Sequence, residues 1–367
     1  MSSGAPTLDL DFELRLGGFT LGPTLSTHSR RVALFGPSGS GKSLTLEVIA
    51  GLARPDAGRV RVLGNVLFDA SARRDLSPQD RRMGYVPQQY HLFPHMSAAE
   101  NVRYGLRGRA GSDARVRELL GVVGLAGLER RFPRQLSGSQ QQRVAFARAL
   151  AGDPRLLLLD EPFSALDEVV RIQLRHYLSE MLERIGTPTL LVTHDLVEAT
   201  MLADTLVVLR RGSVVQVGSG EDLFLRPADA GVADLVGMSN RLHGTVEDVR
   251  DDSMWVRWEG RLLRAPGAGY RPGSTVTLGV RPENVLLPPL GAPTDGLVPT
   301  TIARTVQEGL SFRLGLTTEA GTALEMLLSQ RIYRRYDLRP GQRLGVRLEP
   351  HYLWPLAVSE AGRPAGT

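Results

Sequence analysis

The chain has 367 residues, which at about 150 residues per domain suggests two or three domains, and it carries a net charge of +5. Hydrophobic residues make up 42% and charged residues 23% of the sequence, a balance that is typical of globular proteins and excludes a disordered chain. The absence of cysteine excludes disulfide scaffolds, thiolate zinc sites and cysteine nucleophiles, and no apolar run approaches the roughly 18 residues that a membrane-spanning helix needs.

Residues 1–236 alternate predicted strands with predicted helices. Short apolar runs at residues 31–35, 156–159 and 189–192 are typical of strands that are buried on both faces of a mostly parallel sheet. Helical patterns lie between these runs, for example at residues 140–150. This alternation predicts an α/β domain over residues 1–236.

A glycine-rich loop follows the first of these strands. It reads Gly-Pro-Ser-Gly-Ser-Gly-Lys-Ser over residues 36–43 and matches the phosphate-loop pattern G-x-x-x-x-G-K-[ST]. Its backbone N–H groups and the helix that follows can bind phosphate oxygens, Lys42 can reach the β- and γ-phosphates, and the Ser43 hydroxyl can bind Mg²⁺. Lys42 is the only lysine among 44 basic residues, which favours a nucleotide site over a chance glycine turn. The predicted phosphate-binding residues are Gly36, Ser38, Gly39, Ser40, Gly41, Lys42 and Ser43.

Two acidic residues, Asp160 and Glu161, end the second apolar strand. Parallel sheets bind ligands at this edge, and Asp160 is predicted to hold Mg²⁺ there. Glu161 can polarise an attacking water, or it can be an acidic residue that interacts with a helix N-terminus. The two interpretations of Glu161 are equally compatible with the strand end taken alone.

The pattern changes after residue 236. Short alternating segments, such as residues 254–258 and 275–280, are separated by proline and glycine and predict a β-rich domain of small, OB-like barrels over residues 237–367. Arg271-Pro-Gly followed by Leu278-Gly-Val-Arg recurs as Arg339-Pro-Gly followed by Leu344-Gly-Val-Arg. This recurrence favours two copies of one β unit over two chance turns.

Four further motifs follow the phosphate loop: Tyr85-Val-Pro-Gln88, Leu136-Ser-Gly-Ser-Gln140, Ser164-Ala-Leu-Asp167 and Thr193-His194-Asp195. With the loop, they resemble the pattern of ATP-binding-cassette (ABC) ATPases, in the family's order. Ser139 departs from the pattern, since most members have glycine there. The resemblance implies a P-loop ATPase with a mostly parallel sheet, a helical subdomain, and ATP and Mg²⁺ as cofactors.

The resemblance also implies roles for the residues of these motifs. Two such domains would pair head to tail, with each ATP between the phosphate loop of one subunit and Ser137, Gly138 and Gln140 of the other. Glu161 would be the general base, Gln88 would contact Mg²⁺ and the attacking water, and His194 would contact the γ-phosphate, although a histidine considered alone is more often structural. Asp167 would lie at the dimer interface, and an aromatic residue near the N-terminus would stack on adenine, with Phe19 preferred and Phe12 as the alternative.

The C-terminal segments 240–246 and 279–283 resemble the paired TOBE-like barrels that follow the cassette in prokaryotic importers. This implies a peripheral subunit at the cytoplasmic face of the membrane, a homodimer that works with integral permease subunits and an extracytoplasmic solute-binding protein. Residues 88–100 are expected to contact the permease. The segment 66–95 resembles molybdate importer ATPases, so molybdate or tungstate is the expected solute, with sulfate, ferric ion, sugar and polyamine as alternatives.

A nucleic-acid-associated ATPase is the distant alternative, suggested by the basic residues and by Trp255 and Trp258. These tryptophans are three residues apart, so one strand would place them on opposite faces and not on a shared stacking surface. No nucleic-acid partner is therefore expected.

Overall fold

The computed structural model describes residues 5–106, 112–164, 168–267, 269–289, 291, 293 and 296–357. It divides into two compact units, Met1–Gly220 and Glu221–Thr367. The predicted boundary after residue 236 falls inside the second unit. Residues before that boundary are tied to the strands that follow, because Arg241 pairs with Asp234 at 2.6 Å and the Trp354 indole donates to the carbonyl of Pro227 at 3.1 Å.

The first unit contains two sheets and seven helices within the described residues. The strands are β1 (Leu8–Leu16), β2 (Phe19–Leu21), β3 (Thr24–Thr27), β4 (Arg31–Phe35), β5 (Ala57–Val62), β6 (Asn65–Asp69), β7 (Arg74–Asp75), β8 (Met83–Val86), β9 (Leu156–Asp160), β10 (Thr189–Thr193), β11 (Thr205–Arg210) and β12 (Ser213–Gly218). The helices are α1 (Lys42–Ala50), α2 (Pro78–Arg81), α3 (Ala98–Gly105), α4 (Ser112–Val122), α5 (Gly138–Ala151), α6 (Glu168–Ile185) and α7 (Leu196–Leu202).

The central sheet has the order β12-β11-β4-β10-β9-β8, and all of its pairings are parallel except that of the edge strand β12. Every residue of β9 and β10 is buried, as the continuous apolar runs predict. Helices α3, α4 and α5 pack against one another as a helical subdomain. The predicted P-loop α/β fold is therefore confirmed, and its parallel strands bring the ends of β4, β9 and β10 to one edge.

A second, antiparallel sheet lies beside the central sheet and was not predicted. Its order is β2-β1-β5-β6-β7, with β3 paired to β1. One hydrophobic core joins the two sheets through α1, for example by Leu10 of β1, Leu46 of α1 and Leu158 of β9. This core anchors the helix that carries Lys42.

The second unit is β-rich, as the sequence predicts. It contains α8 (Gly220–Leu225), which begins at the end of the first unit, α9 (Ala230–Leu235) and α10 (Gln330–Arg335). Its strands are β13 (Asn240–Arg250), β14 (Ser253–Trp258), β15 (Arg261–Pro266), β16 (Thr275–Val280), β17 (Val285–Leu286), β18 (Val298–Glu308), β19 (Ser311–Thr318), β20 (Ala323–Ser329), β21 (Arg343–Leu348) and β22 (Trp354–Leu356).

These strands form two five-stranded sheets of matching order, β15-β14-β13-β16-β22 and β20-β19-β18-β21-β17. The recurring sequence segments lead into β16 and β21, and each strand is followed by a 3₁₀ turn and a short strand. The short strands are exchanged, because β17 pairs with β21 and β22 pairs with β16. One hydrophobic core takes residues from both sheets, including Leu242 and Leu314, so the two copies are folded together.

Two further expectations concern individual segments. Trp258 is 3% exposed and lies on the buried face of β14, whereas Trp255 lies on the opposite face between Arg250 and Arg264. The two tryptophans thus lie on opposite faces, as predicted. Among the described residues, no helix has the length and apolar character needed to cross a membrane.

Candidate functional site

The phosphate loop connects β4 to α1, and its glycines are required by close packing. A side chain at Gly36 would place its Cβ 2.2 Å from the carbonyl oxygen of Leu209. Gly41, at the N-terminus of α1, has a φ of 102°, a conformation that glycine adopts without strain. The loop therefore holds its backbone close to the neighbouring strand, with the N-terminus of α1 at one end of it.

Lys42 is the first residue of α1 and is 5% exposed. Its Nζ donates hydrogen bonds to the carbonyl oxygens of Gly36 at 2.9 Å and Pro37 at 2.8 Å. Burial lowers the pKa of Lys42, and the negative charges of Glu161 and Asp160 oppose this shift. The ammonium group is thus held inside the loop with two of its three donors occupied. Next to it, the buried Ser40 hydroxyl has no hydrogen-bond partner within the described residues.

Ser43 and Asp160 meet at the end of β9. The Ser43 hydroxyl donates to Asp160 Oδ1 at 2.8 Å, and the Tyr85 hydroxyl lies 3.4 Å from Asp160 Oδ2. Burial raises the pKa of Asp160, and the hydrogen bond from Ser43 opposes this increase. A serine hydroxyl and a carboxylate supply the hard oxygen ligands that Mg²⁺ prefers, so these residues fit a Mg²⁺ site.

Three polar side chains from separate elements converge beside this pair. His194, which follows β10, has its Nδ1 3.2 Å from Glu161 Oε1, and Gln88, which follows β8, donates to Glu161 Oε2 at 3.3 Å. Gln88 also donates to the Ser164 hydroxyl at 3.1 Å. The Glu161 side chain is 20% exposed, so water can reach a carboxylate that two neighbouring polar groups orient.

A buried ionic network lies behind His194. Arg175 of α6 pairs with Asp195 at 2.7 Å and with Glu198 at 3.1 Å, and the Glu198 carboxylate accepts a hydrogen bond from the Thr193 hydroxyl at 2.6 Å. Burial raises the pKa of Glu198, opposed by its hydrogen bonds to Thr193 and Arg175. The residues on both sides of His194 are therefore fixed.

The motif Leu136-Ser-Gly-Ser-Gln140, called the signature motif below, is placed differently. Ser137 is the N-cap of α5, where its hydroxyl accepts the Gln140 N–H while the Gln140 side chain accepts the Ser137 N–H. The Ser139 hydroxyl lies 3.0 Å from that of Ser137. Gly138 begins the same helix. The hydrogen bonds of this motif are local, and they do not connect it to the phosphate loop of its own chain within the described residues.

Two predicted site residues remain to be placed, Phe19 and Asp167. Phe19 is partly buried and packs beside the phosphate loop, since a Cβ at Gly41 would lie 3.3 Å from its ring, whereas Phe12 is 4% exposed in the core. Phe19 therefore remains the candidate for adenine stacking. Asp167 lies outside the described residues.

Sequence reasoning missed several residues that complete the site. Tyr85 and Ser164 lie in motifs that carry the family resemblance. Their place beside the predicted site residues of those motifs could have identified them. Arg175 lies in the middle of α6 among other arginines, and the sequence offers no signal that distinguishes it. Its role depends on the tertiary contact with Glu198.

Comparison with known proteins agrees with this geometry. Residues 25–164 match the ABC transporter family and residues 278–356 match the TOBE domain. Sulfate/thiosulfate import ATP-binding protein CysA 2 of Chromobacterium violaceum is 40% identical over 91% of this chain and 90% of its own length. CysA of Xylella fastidiosa (strain Temecula1) is 48% identical over 70% of this chain and 72% of its own length. Fe(3+) ions import ATP-binding protein FbpC of Brucella abortus (strain 2308) is 38% identical over 84% and 86%, respectively.

Among solved structures, a dimeric post-hydrolysis state of the ATP-binding cassette MJ0796 bound to ADP and Pi is 31% identical, with a TM-score of 0.48 over 58% of this chain and 97% of that chain.

The fold and the site define a P-loop nucleotide hydrolase in which Lys42, Ser43, Asp160 and Glu161 come together at one sheet edge. The chain belongs to the ATP-binding proteins of ABC transporters; it binds ATP, is an ATPase, and carries a TOBE domain in its C-terminal unit. The resemblance to molybdate importers is not supported, because the relatives above are named for sulfate, thiosulfate and ferric ions. The segment 66–95 therefore does not identify the solute.

Proposed function

We propose that the chain is the ATP-hydrolysing subunit of a prokaryotic import system for sulfate or thiosulfate. The observation that carries this proposal is the 40% identity to a sulfate/thiosulfate import ATP-binding protein, which extends over 90% of that protein's length and includes its C-terminal region. Ferric ion is the second candidate, because a ferric-ion import protein is 38% identical over a similar share of its length.

In this proposal, the phosphate loop holds the triphosphate of ATP. Residues 36–43 direct backbone N–H groups and the N-terminus of α1 at the phosphates, and Lys42 supplies a compact positive charge. Ser43, Asp160 and Gln88 would hold Mg²⁺, which offsets the negative charge of the phosphate oxygens. The contact of 2.8 Å between Ser43 and Asp160 supports this assignment. Phe19 would stack on the adenine ring beside the loop.

Glu161 acts as the general base. Its carboxylate accepts a proton as the oxygen of a water molecule bonds to the γ-phosphorus, and the bond from that phosphorus to the bridging oxygen of ADP breaks. His194 donates a hydrogen bond to the γ-phosphate, and Gln88 orients the water. The distances of 3.2 and 3.3 Å from these two side chains to Glu161 support their action as a group.

The same proposal includes the assembly. Two subunits pair head to tail, so that Ser137, Gly138 and Gln140 of one subunit contact the ATP held by the other, and Asp167 lies at their interface. The local hydrogen bonds of the signature motif support an action in trans, because none of its hydrogen bonds in the described part of the chain reaches the phosphate loop of the same chain. Integral permease subunits contact residues 88–100 at the cytoplasmic face of the membrane, and an extracytoplasmic binding protein delivers the solute.

Uptake measurements test the solute. Cells that lack this gene, supplied with the wild-type chain or with Glu161→Gln, are assayed for uptake of labelled sulfate, thiosulfate, ferric ion and molybdate. We expect sulfate or thiosulfate uptake only with the wild-type chain. Restoration of ferric-ion or molybdate uptake alone would overturn the solute assignment, while leaving the ATPase assignment intact.

A further inference from the structure

Tyr90 connects the loop that follows Gln88 to the backbone beside Glu161. The Tyr90 side chain is buried, at 6% exposure, and its hydroxyl donates a hydrogen bond of 3.2 Å to the carbonyl oxygen of Pro162. Burial raises the pKa of Tyr90 to about 12, so the hydroxyl keeps its proton at neutral pH. The bond joins positions 72 residues apart in the chain, and one of them immediately follows the carboxylate proposed as general base.

The backbone around Tyr90 is itself fixed. Tyr90 and His91 both have left-handed conformations, with φ of 58° and 43°, which non-glycine residues adopt only when their surroundings hold them. Arg148 of α5 donates to the carbonyl of Tyr90 at 2.6 Å and to that of His91 at 2.7 Å. The guanidinium also lies over the ring of Phe93, 5.5 Å from its centre. The Tyr90 hydroxyl therefore extends from a loop whose backbone Arg148 connects to α5.

Glu161 needs such support, because it too has a left-handed conformation, with a φ of 43°. Its N–H donates to Val192 O at 2.9 Å, and its carbonyl accepts hydrogen bonds from Ser164. The next residue is Pro162, which has no N–H, so its carbonyl is the one backbone hydrogen-bonding group through which it can be held. The Tyr90 hydroxyl occupies that carbonyl.

We propose that Tyr90 is a positioning residue for Glu161, holding the carbonyl of Pro162, the residue after the base, so that the carboxylate faces the attacking water. This inference rests on the proposed role of Glu161 as general base. It differs from the contact of Gln88, which touches the carboxylate directly. If Tyr90 orients Glu161, its hydroxyl affects the rate of the chemical step and leaves the phosphate-binding residues unchanged.

The test is Tyr90→Phe in the full-length purified chain, with Tyr177→Phe as the matched control. Tyr177 of α6 is partly buried and also donates its hydroxyl to a backbone carbonyl, that of Val122 at the end of α4, at 2.9 Å, so its hydrogen bond does not involve the residues beside Glu161. We expect Tyr90→Phe to lower kcat about fivefold, as loss of a buried hydrogen bond from the transition state allows. KM for ATP and the affinity for a fluorescent ATP analogue should stay within about twofold of wild type.

Equal kcat in Tyr90→Phe and Tyr177→Phe would overturn the inference, as would parallel losses in kcat and in ATP affinity. Melting temperatures of both variants separate a general loss of stability from an effect on the site. Glu161→Gln is measured in the same assay to keep the two proposals apart. Retained hydrolysis in Glu161→Gln contradicts the general-base assignment, whereas lost hydrolysis in Glu161→Gln with normal kcat in Tyr90→Phe contradicts only the role of Tyr90.

Discussion

Two groups of residues belong to one proposed ATP site: those at the ends of the parallel strands with Ser43, and those of the signature motif. They differ in how far apart in sequence their hydrogen-bond partners lie. Ser43 reaches Asp160 and His194 reaches Glu161 although these partners are 117 and 33 residues apart in sequence. Ser137 and Gln140 instead bond to each other at the N-terminus of α5. The first region is assembled by the fold of one chain. The second lies at a helix N-terminus, which we propose contacts the ATP held by another chain.

The largest effect is expected at the centre of the first region. Glu161→Gln keeps the size of the side chain and removes its ability to accept a proton, so kcat should fall about a thousandfold. ATP affinity should be retained, because Lys42 and Ser43 are unchanged, and the ATP-bound dimer should accumulate. Steady-state phosphate release and gel filtration with ATP measure the two properties. Hydrolysis at the wild-type rate would show that another group activates the water.

A mixing experiment tests whether the two regions act in the same chain or across a dimer. It uses Lys42→Arg as the defect of the first region. Lys42 is 5% exposed and donates to two loop carbonyls, a space that suits a compact ammonium and not a planar guanidinium. We expect this change to lower kcat about a hundredfold, even though the charge is kept. The defect of the second region is Ser137→Ala, with an expected loss of about tenfold.

Each of these variants alone places one defect in both ATP sites. In a mixed head-to-tail dimer, one site carries both defects and the other carries none, so mixing the two variants should restore part of the ATPase activity. Re-equilibrated mixtures are compared with the separate variants at the same total concentration. If the signature serves the ATP of its own chain, every site keeps one defect, and mixing gives only the average of the two variants.

The same contrast explains what the sequence predicted well. The strands at residues 31–35, 156–159 and 189–192 are continuous apolar runs, and parallel pairing necessarily brings their carboxyl ends to one edge. The antiparallel sheet was missed although β1 reads Leu-Asp-Leu-Asp-Phe-Glu-Leu-Arg-Leu, an alternation typical of a strand with one buried face. The short strands β17 and β22, which are exchanged between the two C-terminal sheets, show no alternating pattern in the sequence. They are only two and three residues long.

The residues at the site also fall into two groups, those that the sequence predicts and those that only the folded structure reveals. Lys42, Ser43 and Asp160 are predicted by local motifs whose chemistry needs those side chains at those places. Tyr90 and Arg175 act through tertiary contacts, the first with a distant backbone carbonyl and the second with Glu198. Neither has a neighbour in sequence that indicates its partner. Such supporting residues can be found only when the folded chain is known.

The smallest expected effect concerns the stability of the strand end without nucleotide. Burial raises the pKa of Asp160, so the folded chain binds this proton more tightly than the unfolded chain does. The ionised carboxylate therefore costs stability at neutral pH, and this cost shrinks as the pH falls through the raised pKa and is absent below the pKa of the unfolded chain. Asp160→Asn removes the charge and keeps an oxygen that can accept from Ser43. Without Mg²⁺ and ATP at pH 7, its melting temperature should exceed that of wild type by about 3 °C.

The difference between the two proteins should shrink on acidification toward pH ~4, where the wild-type carboxyl becomes neutral like the amide. Saturating Mg²⁺ and ATP should make wild type the more stable of the two proteins. The carboxylate of wild type offsets part of the charge of the metal, whereas the amide of Asp160→Asn does not. Calorimetry at several pH values, with and without Mg²⁺ and ATP, measures both trends. A difference that widens at low pH would mean that the Asp160 carboxylate stabilises the empty site, and the strand end would then be built for its own hydrogen bonds and not for a metal.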